Sequence, residues 1–315
     1  MSLDLQTLKS VAQALSNHPA VVEKAGIAYA YTPAQEVAGN IALGDDCAAI
    51  PDRASNGHLL FAAEGMLPSF VRDDPWFAGY SAVMVNLSDI AAMGGRPIAI
   101  TDVISSPDEK TLKAVWAGMK AAARAYNVPI VGGHTTRLAS DQPAGLAAAV
   151  LGRAGKNLIT SFDAQPGDHL VVAIDMNGAY RNDNPFWNAS TTTPPERLHT
   201  DLELLPQLAE RGLCKAGKDI SNGGIIGTLA MLCHCSSVGV AVDIETLPIP
   251  KDTEWAKWLT SFPSYGYLLA IAPAGLSGAS GLFAHTEITF ATIGRFVDGS
   301  TINLKANGHC VSISL

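Results

Sequence analysis

The stretch that most constrains the fold of this chain lies at residues 83–97, where an apolar helical pattern contains one acid and then stops. Its apolar side chains recur at helical spacing, namely Val83, Leu87, Ile90 and Met93. The pattern predicts a helix with a buried face. Gly94 and Gly95 end this helix, and Pro97 prevents it from restarting. Burying Asp89 alone would be costly, so this side chain needs a surface position, a hydrogen-bond partner or a cation.

Three further acids stand upstream of this helix. Asp45 and Asp46 are consecutive, follow Gly44 and lie between apolar residues. Two carboxylates about 4 Å apart repel by roughly 4 kcal/mol at an effective dielectric constant near 20, and a divalent cation would relieve the repulsion. Glu64 comes directly after an apolar strand candidate at residues 59–63. These residue types match what Mg²⁺ bound to phosphates requires, which is one or two carboxylates besides water and phosphate oxygens.

A plainer interpretation of the same residues stays open at this point. An acid that caps a helix or faces solvent explains the stretch around Asp89 as well as a functional acid does. The separation of the four acids in sequence does not force them together. The hypothesis of a shared metal site therefore needs further support.

Composition and charge exclude several classes of protein. The chain has 315 residues, which predicts about two domains of roughly 150 residues each. Its residues are 48% hydrophobic and 16% charged, as in ordered globular proteins. The net charge is -8 and no basic run is present, which argues against nucleic acid as a partner. A small phosphorylated ligand remains compatible, because a metal ion can supply positive charge.

Targeting signals and cysteine frameworks are not evident either. Residues 1–15 carry Asp4 and Lys9 inside a helical pattern, unlike a signal peptide, and no run reaches the roughly 18 apolar residues of a membrane span. We therefore expect a cytoplasmic location and no membrane partner. The five cysteines are scattered, and Cys233-His234-Cys235 does not match the spacing of a zinc site, so free thiols are expected.

The first half of the chain alternates strands and helices. A strand is predicted at residues 98–104 and an amphipathic helix at residues 112–126. A short strand at residues 128–131 then leads into a turn formed by Gly132 and Gly133, where the backbone can approach a ligand. A domain boundary is expected near residue 160, which gives domains at 1–158 and 159–315.

The second half alternates in the same way. A polar loop at residues 177–195 is long enough to suggest a lid. Asp219 leads into a helix whose start can bind anions, although Ser221 and Asn222 there are also good helix caps in any protein. Strands at residues 238–243, 267–272 and 288–293 complete a mixed sheet. The chain is thus expected to be an α/β protein.

Five motifs, in this order along the chain, resemble those of a known superfamily. They lie at residues 44–49, 85–94, 131–136, 218–224 and 264–270. Together they resemble the superfamily of aminoimidazole ribonucleotide (AIR) synthase. That superfamily includes thiamine-monophosphate kinase, selenophosphate synthetase and the hydrogenase maturation protein that dehydrates a carbamoyl group.

The resemblance implies a fold, an assembly and a reaction. The fold would be a two-domain α/β AIR synthase-like fold, with a mixed sheet in the amino-terminal domain that forms a barrel-like core in a homodimer. The reaction would transfer the γ-phosphoryl group of ATP, bound with Mg²⁺, to a small-molecule substrate.

The resemblance also assigns roles to individual residues. It implies Mg²⁺ ligands at Asp45, Asp46, Glu64 and Asp89. It implies catalytic acids at Asp45, Asp89 and Asp219. It implies cofactor-binding positions at Asn86, Gly132, Gly133, His134, Ser221 and Asn222.

Three residues depart from the pattern of the kinases in this superfamily. Asn222 and His134 stand where those kinases have Asp, and Glu64 takes the place of the usual Asp. Without its context, His134 would be read as a structural histidine. Two alternatives to an ATP-dependent enzyme therefore remain: a non-catalytic protein that binds a nucleotide or metabolite, and a structural dimer partner that keeps the fold.

Overall fold

The computed structural model of this chain describes residues 4–26, 41–182 and 184–314. Within these residues the chain divides into two compact units. One unit, here called the five-stranded unit, comprises Cys47–Lys156 and Thr191–Pro206. The rest of the described chain belongs to the other, here called the seven-stranded unit. Each unit is described by itself.

Helices and strands alternate through most of the chain. The helices are α1 (Leu5–Ser16), α2 (Pro19–Gly26), α3 (Pro68–Asp73), α4 (Pro75–Ala92), α5 (Glu109–Ala125), α6 (Pro195–Leu202), α7 (Leu204–Glu210), α8 (Gly224–Ser236), α9 (Trp255–Leu259) and α10 (Leu276–Phe283). The first strands are β1 (Ala48–Asp52), β2 (Gly57–Met66), β3 (Gly95–Ser106), β4 (Ile130–Arg137), β5 (Gly145–Ala154), β6 (His169–Ile174) and β7 (Ala179–Tyr180). The later strands are β8 (Trp187–Asn188), β9 (Ala216–Asp219), β10 (Gly239–Asp243), β11 (Gly266–Ile271), β12 (Thr289–Val297), β13 (Ile302–Ala306) and β14 (His309–Ile313).

The five-stranded unit is built on a mixed sheet. Its strand order is β1-β2-β5-β3-β4, and β3 pairs with β4 in parallel while the other neighbours are antiparallel. One face of the sheet is covered by α4, whose residues from Phe77 to Ala92 are almost all buried. Gly94 follows α4 with a φ of 75°, a left-handed conformation that glycine adopts without strain. The predicted helix and its stop are both confirmed.

Two glycines bring α4 and α5 into close contact. A Cβ atom on Gly79 of α4 would collide with the carbonyl oxygen of Val115, and a Cβ on Gly118 of α5 would collide with that of Trp76. The absence of side chains at these positions allows the two backbones to approach. The resulting pair of helices covers the sheet and fixes the position of α5 beside β4.

The seven-stranded unit contains a second mixed sheet. Its order is β14-β13-β10-β12-β6-β11-β9, with a parallel pair between β10 and β13. The apolar helix α8 packs against β9 and β11, and α1 packs against β13 and β14. Buried side chains from these elements form one core, which includes Leu8, Leu229 and Phe296. Both units are therefore α/β, as the sequence predicts.

A single boundary at residue 158 does not separate the two compact units. The described residues of 4–46 lie in the seven-stranded unit, because α1 packs against strands from the end of the chain. Thr191–Pro206 lies in the five-stranded unit, where Glu203 forms an ion pair of 2.9 Å with Arg96. Local composition and turn residues do not indicate long-range packing of this kind.

Three local predictions differ from the structure. Gly132 and Gly133 lie inside β4 rather than in a turn, because parallel pairing with β3 continues to Arg137. The polar stretch at residues 177–195 contains the two-stranded β7–β8 hairpin. The leucines at residues 202, 205, 208 and 213 predict one helix, whereas the structure has two, with α6 ending at Leu202 and α7 beginning at Leu204. In the described part of the chain, no helix has the length and apolar character to cross a membrane.

Candidate functional site

Asp45 lies in the seven-stranded unit, and its two carboxylate oxygens have different surroundings. Its Oδ1 accepts hydrogen bonds from the backbone N–H and the hydroxyl of Ser161, at 3.1 and 2.7 Å. Its Oδ2 is buried, and no residue that the structure describes forms a hydrogen bond with it. Burial, and then the charge of Asp46, raise the pKa of Asp45 to about 6. A buried oxygen of this kind is a ligand that a divalent cation prefers, so Asp45 fits the predicted metal.

Asp46 is held by a lysine that the sequence interpretation did not single out. The ammonium of Lys218, in β9, lies 2.5 Å from Asp46 Oδ1. The side chains of Lys218 and Asp46 are only 2% and 5% exposed. Burial alone would lower the pKa of Lys218, but the charges of Asp46 and Asp45 raise it above the ordinary value for lysine. The lysine therefore stays charged, and the two residues form a buried ion pair.

Asp219 lies beside this ion pair at the end of β9. Asp219 is 2% exposed, and its Oδ2 accepts a hydrogen bond of 2.7 Å from the hydroxyl of Ser264. Its backbone N–H donates to Asp46 Oδ2 at 3.4 Å, and carboxylate oxygens of Asp46 and Asp219 lie within 4.8 Å of each other. The structure thus brings together three of the predicted acids within this unit.

Ser221 and Asn222 lie in the turn between β9 and α8. Both are half-buried. Gly223, with a φ of 87°, is the N-cap residue of α8, and no side chain caps this helix. Helix capping, which could have explained Ser221 and Asn222, is therefore not what they do in this structure.

In the five-stranded unit, α4 carries Asn86 and Asp89 on buried turns. Asp89 is 5% exposed and lies inside the helix, so the interpretation as a solvent-facing acid is wrong. The Asn86 amide donates to the carbonyl of Ala82 at 2.8 Å, while its Oδ1 is buried and receives no hydrogen bond from the part of the chain that the structure describes. Polar groups inside an apolar helix are costly to bury, and such positions commonly serve a ligand or a fixed contact.

Glu64 lies within β2 rather than after it. The strand continues to Met66, and Glu64 pairs in register with Ala148 of β5. Glu64 is exposed, whereas Asp45 and Asp89 are shielded from solvent.

A cavity of about 930 Å³ lies between α5 and β4 in the same unit. Lys120 and Arg124 of α5 line it together with half-buried Trp116, and Gly132 and Gly133 line it from β4. Basic and aromatic side chains opposite a glycine-rich strand suit an anionic ligand with a flat ring. The predicted Gly-Gly pair therefore faces a space large enough for a ligand.

Asp102 of β3 also lines this cavity. Asp102 is 4% exposed, and among the residues with described positions none forms a hydrogen bond with either of its carboxylate oxygens. Burial raises the pKa of Asp102 above its usual value. A Cβ atom on Gly133, its register partner, would collide with this carboxylate. Buried carboxylates are normally paired, so an unpaired one in a cavity wall is a candidate ligand contact.

His134 lies apart from this cavity. Its register partner in β3 is Val103, which is 55% exposed, whereas Gly133 pairs with buried Asp102. Successive side chains of a strand point to opposite faces of the sheet. His134 therefore lies on the face opposite Asp102, and the structure separates it from the residues around Gly133.

Sequence reasoning missed Asp102, Ser161 and Lys218. Asp102 carried a usable signal, because it is an acid inside the apolar strand predicted at residues 98–104. Lys218 also carried a signal, because it directly precedes the predicted site residue Asp219 in β9. Ser161 carried no comparable signal, since one serine near a domain boundary is common.

Comparisons with known proteins agree with this fold. Two protein-family models match this chain. The model described as "AIR synthase related protein, N-terminal domain" matches residues 44–154, and the one described as "AIR synthase related protein, C-terminal domain" matches residues 166–307. An uncharacterized protein of Synechocystis sp. is 47% identical over 266 residues, which cover 84% of this chain and 81% of that protein. The thiamine-monophosphate kinase of Pyrococcus horikoshii is 28% identical over 286 residues, or 84% of this chain and 86% of the kinase.

Solved structures share the fold at low sequence identity. AaThiL in complex with AMPPCP and TMP superposes with a TM-score of 0.66 at 16% identity, and the match covers 91% of this chain and 96% of AaThiL. The two matched domains together cover most of the chain, and so does the alignment with the relative that is 47% identical. The chain therefore belongs to the family of AIR synthase related proteins.

Proposed function

We propose that this protein is an ATP- and Mg²⁺-dependent enzyme that transfers the γ-phosphoryl group to a small metabolite. Family membership and relatives named thiamine-monophosphate kinase support this class of reaction. The observation that carries the proposal is the cavity of about 930 Å³ beside Gly132 and Gly133. Its volume lies within the range of ordinary small-molecule sites, roughly 300–1,000 Å³.

The cavity supplies the nucleotide-binding part of the proposal. Trp116 offers a flat apolar surface to a base, and Lys120 and Arg124 offer positive charge to phosphates. Asp102 has two acceptor oxygens that no described residue engages, and they suit the N–H groups of a base. Gly132 and Gly133 belong to this part. The family resemblance implies further cofactor contacts at Asn86, Ser221 and Asn222, and also at His134, although His134 lies on the face of the sheet opposite Asp102.

The acids supply the metal-binding and catalytic part. Asp45 and Asp89, both shielded from solvent, and exposed Glu64 are the proposed ligands of Mg²⁺. Asp45, Asp89 and Asp219 are the proposed catalytic acids. Mg²⁺ would neutralise phosphate charge, and phosphoryl transfer depends mainly on such neutralisation and on positioning. In the reaction a substrate oxygen bonds to the γ-phosphorus as the bond to the bridging oxygen breaks, and ADP leaves.

The proposed assembly is a homodimer formed through the five-stranded sheet. The face opposite α4 exposes apolar side chains, with Phe61 at 50%, Val103 at 55% and Leu151 at 38% exposure. Phe61 pairs with Leu151, and Leu151 pairs with Ala99, four residues before Val103, so these side chains share one face. An apolar face of this kind suits a second copy of the chain.

One observation favours a second candidate function. Lys218 already neutralises Asp46, and Asn222 replaces a charged residue of the kinase pattern. Both changes reduce the number of acids available to metal ions. A nucleotide-binding protein without turnover would keep the cavity and need fewer metal ligands.

Turnover separates these two functions. The purified protein is incubated with ATP, Mg²⁺ and thiamine monophosphate or a panel of small alcohols and phosphomonoesters, and ADP is measured by ³¹P NMR. The proposal predicts ADP formation that requires one acceptor and Mg²⁺. ATP binding without ADP formation from any acceptor would favour the non-catalytic protein.

A further inference from the structure

The buried ion pair between Lys218 and Asp46 takes no part in the ATP-dependent reaction proposed above. Lys218 Nζ lies 2.5 Å from Asp46 Oδ1 and 3.2 Å from the hydroxyl of Ser161. Asp46 Oδ2 accepts from the backbone N–H of Asp219 at 3.4 Å. Both oxygens of Asp46 are therefore engaged by donors of its own unit.

Burial makes this arrangement difficult to exchange for a metal ion. An ammonium and a Mg²⁺ ion on the same carboxylate oxygen would repel each other at short range, so the ion pair makes Asp46 Oδ1 a poor ligand for the metal. The ammonium would have to leave a site where its side chain is 2% exposed. A buried charge that loses its partner is strongly destabilising, so displacement by a metal is opposed.

The neighbouring Asp45 is in the opposite situation. No residue in the described part of the chain forms a hydrogen bond with its buried Oδ2, whereas donors engage both oxygens of Asp46. The two adjacent acids therefore differ: Asp45 keeps one oxygen without a described donor, and Asp46 already has an internal cation.

We propose that Lys218 is a resident cation that takes the place of a divalent metal at Asp46, so that Asp46 is an ion-pair partner and not a metal ligand. The protein then binds one divalent ion fewer than the same protein with an uncharged residue at position 218. This inference refines the metal-binding part of the proposed function, and it requires no turnover of ATP.

Counting bound Mn²⁺ ions tests the inference directly. Free Mn²⁺ is measured by electron paramagnetic resonance during titration of the wild type, Lys218→Met and the double variant Asp46→Asn/Lys218→Met. Methionine keeps the length of the side chain without its charge. The inference predicts one additional bound Mn²⁺ per chain in Lys218→Met, and a return to the wild-type number in the double variant.

Lys215→Met is the matched control, because Lys215 is exposed and lies three residues from Lys218. The number of Mn²⁺ ions bound by Lys215→Met should stay at the wild-type value.

The outcomes separate this inference from the proposed function. Equal Mn²⁺ numbers in the wild type and folded Lys218→Met would overturn the inference and leave an ATP-dependent enzyme intact. A wild type that binds no Mn²⁺, with one ion bound by Lys218→Met, would support the inference and count against Mg²⁺ dependence of the enzyme.

A measurement on the wild type decides the question if Lys218→Met does not fold. The buried ammonium of Lys218 exchanges slowly with water, so ¹H–¹⁵N NMR detects it, with Lys218→Arg used to assign the signal. The inference predicts that saturating Mg²⁺ leaves this signal in place. Its loss or exchange with solvent on addition of Mg²⁺ would show that the metal displaces the lysine, and would overturn the inference.

Discussion

At the scale of single residues, acids placed in apolar surroundings distinguish this chain. Asp45, Asp89, Asp102 and Asp219 are all shielded from solvent, and each lies in or next to a packed element. Lys218 neutralises Asp46, whereas no residue in the described ranges donates a hydrogen bond to either carboxylate oxygen of Asp102. Because an unpaired buried carboxylate is costly, its retention in a cavity wall points to a ligand that pairs with it.

Alanine substitution should affect one of the two cavity glycines and not the other. A Cβ on Gly133 collides with Asp102, whereas a Cβ on Gly132 meets no atom within 4 Å. We expect Gly133→Ala to destabilise the protein by about 1–3 kcal/mol and to weaken binding of an ATP analogue about tenfold. Gly132→Ala is the control, with near wild-type stability and binding. Urea unfolding and calorimetric titration measure both effects. Equal effects of the two variants would contradict the role given to Asp102.

The stability of the protein should depend on pH through Asp102. Burial raises its folded-state pKa above the usual 3.8, so the folded state holds the proton more tightly than the unfolded state. This contribution is fully present below pH 3.8 and is lost as pH rises through the folded-state pKa. Asp102→Asn cannot titrate. We therefore expect the melting temperature of Asp102→Asn, relative to the wild type, to be higher at pH 7 than at pH 4. A pH-independent difference would contradict this assignment.

At the scale of elements, the crossing of α4 and α5 decides where the cavity lies. Gly79 and Gly118 allow these helices to approach, and α5 then places Trp116, Lys120 and Arg124 opposite β4. A wider crossing would move α5 and change the cavity.

Glycine-to-alanine substitutions in two helices test this crossing. Alanine normally stabilises a helix relative to glycine by about 1 kcal/mol. Gly281→Ala, exposed in α10 with no atom near its Cβ, should show this gain. Gly118→Ala should instead destabilise by about 2 kcal/mol or more, because its Cβ would collide with the backbone of Trp76. Thermal unfolding of both variants measures this, and stabilisation by Gly118→Ala would contradict the described packing.

Sequence patterns predicted some elements better than others, for physical reasons. The helix from Pro75 to Ala92 and its stop were predictable, because apolar spacing, glycines and a proline are local signals. The extension of β4 through Gly132 and Gly133 was not predictable, since it depends on parallel pairing with a distant strand. The ion pair of Lys218 with Asp46 joins residues 172 positions apart, and only the fold could bring them together.

At the scale of the whole molecule, the motif order predicted the family and the α/β class. The linear cut at residue 158 does not reproduce the two compact units, because the described residues of 4–46 belong with the second half. The predicted site residues fall into both units: Asp45, Asp46 and Asp219 in one, and Glu64, Asn86 and Asp89 in the other.

The exposed face of the five-stranded sheet should determine the oligomeric state. We expect the wild type to be a dimer by light scattering after size-exclusion chromatography, because Phe61, Val103 and Leu151 form an apolar surface. Val103→Glu should yield a folded monomer. Val22→Glu is the control, since Val22 is 53% exposed in the other unit and should leave the dimer intact. A monomeric wild type would contradict this assembly.

Calorimetric titration of AMPPCP into the wild type and Asp89→Asn, each with and without Mg²⁺, tests whether Mg²⁺-dependent nucleotide binding uses Asp89. Asparagine keeps the shape of Asp89 and removes its charge, and circular dichroism verifies that the variant folds. We expect binding that strengthens with Mg²⁺ in the wild type, and loss of this Mg²⁺ dependence in Asp89→Asn. Failure of the wild type to bind AMPPCP in the presence of Mg²⁺ would contradict an ATP-dependent enzyme.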